Sequence, residues 1–114
     1  MDYPNRLRSL GLNDARFAEG SVEPADVKSL ELEPKTLELV RLAALVAVGG
    51  AVPSYGAQAD SAVNAGATAA EIVDVLVGVI PVVGLPCVVA AAPKLALALG
   101  YDLDDDAVER QPAE

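Results

Sequence analysis

Apolar positions set the reading of this chain. From Pro34 onward, Leu37, Val40, Leu42, Ala44, Leu45 and Val48 fall on nearly every side of a helical wheel. That pattern predicts a helix buried on most of its faces. Pro34 suits the first helical position, where a missing N–H costs nothing. Gly49 and Gly50 predict its end through a left-handed residue. A second helix is expected from about Pro53 and Ser54 to Ala65, with Tyr55, Ala59, Ala62 and Val63 on one face. Gly66 stops it. Thr68 and Glu71 then have the spacing of a capping box, and the helix they open places Ile72, Val75, Leu76 and Val79 on one stripe, with Asp74 outside.

Residues 75–93 carry no charge over 19 positions. On length alone such a run reaches a membrane span. Gly78, Pro81, Gly84, Pro86 and Pro93 interrupt it, so it reads as two short buried helices broken between Pro81 and Pro86. The last helix is expected over residues 86–99, with Pro93 kinking or restarting it and Gly100 closing it. No alternating strand pattern stands out, and the fold class expected is all-α, built of antiparallel helices. Residues 1–33 form a polar arm in which Leu7, Leu10 and Leu12 suggest a short helix ending at Gly11 and Phe17 an anchor. Residues 34–101 form the helical domain. Residues 102–114 form an acidic tail expected to be disordered.

Composition sharpens this picture. Hydrophobic residues make up 53% of the chain but aromatics only 4%, so the surplus is Ala and Val. Small apolar side chains allow close helix packing, and their number exceeds what one small subunit can hide. Association with copies of itself is therefore expected. The net charge is −9, from 8 basic and 17 acidic residues, with no basic stripe. Binding to nucleic acid, which needs clustered cations, is disfavoured, as is an anionic membrane surface. The first residues do not make a signal peptide, and a cytoplasmic location is expected. A single cysteine, Cys87, excludes an intramolecular disulfide. The chain has no histidine, which removes the commonest general base and transition-metal ligand. No metal or cofactor is expected. The tail acids Asp102, Asp104, Asp105 and Asp106 lack the central Gly and closing Glu of a calcium loop.

Three segments carry a resemblance. LEPKTLELVRLAA at residues 32–44 resembles the "LDPKTRELVRLA" helix of carboxymuconolactone-decarboxylase/AhpD-like proteins. AGATAAEIVDVL at 65–76 is similar to their "AGATxEEIVEVL" helix, and PVVGLP at 81–86 to their "PYAGFP" turn. The resemblance covers about residues 32–100. It implies an AhpD-like helical bundle and a homotrimer or homohexamer. Peroxidase-like members carry C-x-x-C-x-x-x-H ahead of the glycine that ends the second helix. Those positions here hold Ala51, Ser54 and Gln58, so a dithiol alkylhydroperoxidase mechanism within the chain is excluded. The decarboxylases keep the His, replaced here by Gln58, and an amide exchanges no proton near neutral pH.

The resemblance implies a lyase or related enzyme acting on a small carboxylate or lactone without thiol redox chemistry. The alternative is a catalytically inactive oligomer that binds a small apolar or carboxylate molecule or serves as structure. Glu38 matches the family's upstream Glu with a one-residue offset. Glu38 and Gln58 are thus the candidate catalytic pair, and Ser54, Tyr55 and Cys87 the candidate substrate contacts. Each has a plainer reading. Glu38 can pair with Lys35 or Arg41 on the helix surface, and Gln58 can be an exposed polar residue. Ser54 can cap its helix, Tyr55 can be a core or interface ring, and Cys87 a small apolar side chain. Lys94, the lone charge of the last helix, reads as solvated or paired.

Overall fold

A computed structural model of the chain describes residues 3–12 and 30–101. The chain divides into two compact units, residues 1–31 and 32–114. In the first unit, helix α1 spans Tyr3–Gly11 and buries none of its residues. Phe17 and the acidic tail lie outside the described residues.

The second unit holds four helices: α2 (Pro34–Val48), α3 (Val52–Asn64), α4 (Ala69–Val83) and α5 (Leu85–Ala98). There is no strand among the described residues. Helix α3 packs on α2 and α5, and α4 packs on the same two. Each helix sends an i, i+3/i+4 set to one core: Leu42 and Val46, then Tyr55, Ala59 and Ala62, then Ile72 and Leu76, then Val88, Ala91 and Leu95. Burying a side chain such as Leu42, Ile72 or Leu95 contributes about 1.5–3 kcal/mol. The buried set contains no polar residue.

The capping box of α4 is complete. The Thr68 hydroxyl accepts from the Glu71 N–H at 3.1 Å, and the Glu71 carboxylate accepts from the Thr68 N–H at 2.9 Å. One expectation about helix ends needs correction. Gly49 has φ 85° but ψ 154°, so the chain leaves α2 extended instead of turning back through a left-handed residue; its N–H still donates to the Leu45 carbonyl. The break expected between Pro81 and Pro86 is present and falls at the single residue Gly84, with φ 90° and ψ 150°, so the first of the two helices runs through Pro81 to Val83. Pro81 is exposed; it removes one N–H and crowds the carbonyl of the preceding turn without ending the helix. Helix α5 likewise continues through Pro93 to Ala98. Because Gly84 divides the uncharged run, no helix among the described residues is long and apolar enough to cross a membrane.

One further departure bears on function. Helix α2 is not buried on most sides within this chain: only Leu42 and Val46 are buried, and Val48 is 82% exposed. On α4 and α5, Val77, Val82, Val89 and Leu97 are all more than half exposed. The outward positions of α5 (Leu85, Pro86, Val89, Ala90, Pro93 and Leu97) include no polar side chain.

Candidate functional site

The first turns of α2 place Glu38 beside Gln58 of α3. The Gln58 Nε2 donates to the Glu38 backbone carbonyl at 3.0 Å and reaches its carboxylate Oε1 at 3.5 Å. Arg41, one turn beyond Glu38, donates from its guanidinium to the same Oε1 at 3.1 Å. The Glu38 side chain is only 13% exposed, whereas that of Arg41 is 43% exposed. Glu38 is thus a half-buried carboxylate held from two sides. The two residues picked as the catalytic pair are brought together, and Glu38 also makes its surface pairing, with Arg41. The other candidate partner, Lys35, goes elsewhere and binds Glu71 at 3.0 Å, tying the start of α2 to the start of α4.

The remaining candidates do not join this pair through any hydrogen bond. Ser54 is exposed and does not cap α3. That helix starts two residues earlier, its cap position is Ala51 with no side-chain bond, and Ser54 is its third residue. Tyr55 lies one turn before Gln58 but points into the core. It is 1% exposed, and its hydroxyl donates to the Leu45 carbonyl at 3.4 Å. Burial pushes its phenol pKa above the ordinary 10.0, and the nearby Cys87 adds to the shift electrostatically. Cys87 is half-buried near the start of α5. Lys94 turns away from the open face of α5, and its ammonium donates to the Gly50 carbonyl at 2.8 Å. This bond fastens α5 to the turn between α2 and α3. Sequence reasoning treated Arg41 only as a surface partner; its place three residues after Glu38 was the available signal.

A groove of about 540 Å³ runs between α4 and α5, lined by Val73, Asp74, Leu76, Leu95, Leu99 and Tyr101 among others. It includes none of the candidate site residues. Among the described residues no cluster of His, Cys, Asp or Glu could hold a metal ion.

The model of the carboxymuconolactone decarboxylase family matches residues 14–96, well over half of the chain. The chain belongs to the carboxymuconolactone decarboxylase family. No curated protein and no solved structure matches it. Of the Glu38–Gln58 pair, only Glu38 carries an ionisable group; the Gln58 amide can donate and accept hydrogen bonds but not exchange a proton.

Proposed function

We propose that this chain is a self-associating, non-thiol member of its family that binds a small organic molecule at the Glu38–Gln58 pair and acts on it by lyase-type proton transfer at Glu38. The observation that supports this most is the double contact of the Gln58 amide with Glu38, at the place where the family pattern has a histidine. An amide there orients and polarises without moving a proton, and positioning with fixed dipoles can supply much of a rate. Carboxylates and lactones are the molecules the family name suggests first. Self-association is supported by the all-apolar outer face of α5 and the exposed valines of α2 and α4.

A second reading has its own support. Both Arg41 and Gln58 already bond the Glu38 carboxylate, so the pair is held in place by the protein itself and suits a binder that performs no reaction. A thermal-shift and turnover panel of aromatic acids, lactones and quinones separates the two. The proposal expects a compound that is turned over by the native chain and by Cys87→Ser, but not by Glu38→Gln. Full turnover in Glu38→Gln ends the acid–base role, and binding without turnover leaves the inactive binder. Thiol-dependent peroxide reduction lost in Cys87→Ser would overturn the non-thiol assignment altogether.

A further inference from the structure

Helix α5 carries two apolar features of complementary shape. One is a ridge: Leu85, Val89, Pro93 and Leu97 recur every four residues and stand exposed along its outer side. The other is the groove of about 540 Å³ between α4 and α5, whose walls include Val73 and Asp74 from α4 and Ala92, Ala96 and Leu99 from α5. The alanines keep the α5 wall low, which lets an incoming helix approach closely. Because α5 itself forms a wall of the groove, its own ridge cannot enter it, whereas the ridge of another copy can.

Charge decides which face of a copy can come so near. The net charge is −9, so two copies repel over most of their surface. Helix α2 carries Glu38, α3 Asp60, and α4 Glu71 and Asp74, but α5 has no acidic residue. The single charge of α5, Lys94, donates to the Gly50 carbonyl at 2.8 Å and is held off the ridge. Asp74 of the groove is itself exposed, so an apolar ridge can seat beside it without burying its charge. We infer that the α5 ridge of a second copy seats in the α4–α5 groove, with its Val89, Pro93 and Leu97 against Val73, Ala92 and Ala96. This rests on the reading that the chain self-associates and names the two surfaces that meet. The contact joins unlike surfaces, so every copy offers both halves of it.

Ala96→Trp tests this, because it fills the groove from within and changes neither the ridge nor the charge. Sedimentation equilibrium of the full chain, with circular dichroism to check the fold, should show a dissociation constant raised about tenfold or more, as overpacking a contact does. Ser61→Trp, on the exposed side of α3, should leave it unchanged. A second measurement does not depend on how a tryptophan is tolerated. In a Cys87→Ser background, Val89→Cys and Ala96→Cys chains are mixed and oxidised. The expected result is a mixed disulfide between positions 89 and 96 that forms ahead of the 89–89 and 96–96 bridges. A folded Ala96→Trp that associates as tightly as the native chain, or bridges that join like positions first, overturns the ridge-in-groove contact and leaves self-association in place. A native chain that is a monomer at every concentration ends both.

Discussion

Glu71 shows how much one side chain can organise here. One carboxylate oxygen closes the capping box with Thr68, and the other holds Lys35. The Thr68 backbone N–H, and after it the Lys35 contact, pull its pKa below the ordinary 4.5. A carboxylate lowered on folding stabilises the fold above its ordinary pKa. That contribution fades as pH falls through the lowered value. Glu71 is solvent-exposed, so the effect is modest and weakened by salt. A carboxyl NMR titration should find Glu71 ionising below 4.5, and Lys35→Met should let it rise part-way. Tyr55 has the opposite sign. Its raised phenol contributes stability that is complete below about pH 10 and is lost as pH climbs through the folded value. An absorbance titration should show a late tyrosinate component that Tyr55→Phe removes. At this scale the capping pair was legible because Thr68 and Glu71 have the fixed spacing of a helix start, whereas the contact between Glu38 and Gln58 joins two helices 20 positions apart and followed from no local spacing. The burial of Tyr55 was legible only as one of two options. An aromatic ring with a hydroxyl suits either a core or a pocket, and only the Leu45 carbonyl within reach decides between them.

Among the elements, α4 is the best specified, since its start is fixed by the capping box and its inner stripe by Ile72 and Leu76. Thr68→Ala should cost about 1 kcal/mol in chemical denaturation, the usual loss for a hydroxyl cap. The positions of the helices could be read from the 3–4 spacing of their apolar residues, and most of their ends from Pro34, Gly49 and the Thr68–Glu71 box; the start of α3 could not. Pro93 could have restarted its helix, yet both Pro81 and Pro93 stand on exposed faces inside continuous helices, where the lost N–H and the crowding of the preceding turn are borne by the packing of the opposite face. Ser54 looked like a cap because serine is favoured there, but Val52 and Pro53 already form the first turn of α3. The lone Lys94 was an ambiguous signal for the same reason. A long side chain can reach solvent or a carbonyl, and its acceptor lies 44 positions away in sequence, at Gly50.

For the whole molecule, the surplus of small apolar residues has a direct physical consequence. Side chains such as Val77, Val89 and Leu97 remain more than half exposed after the core is filled. The hydrophobic effect favours covering that surface, and the proposed partner is another copy of the chain. A charge placed on it should oppose assembly, so Val89→Asp is expected to shift the chain toward the monomer while leaving its helical circular dichroism intact. The measurement that bears most directly on this account is sedimentation equilibrium of the native chain across a wide dilution series. The account predicts a mass several times the 11.7 kDa of one chain, falling toward that value in Val89→Asp. A native chain that stays at 11.7 kDa at every concentration would contradict it.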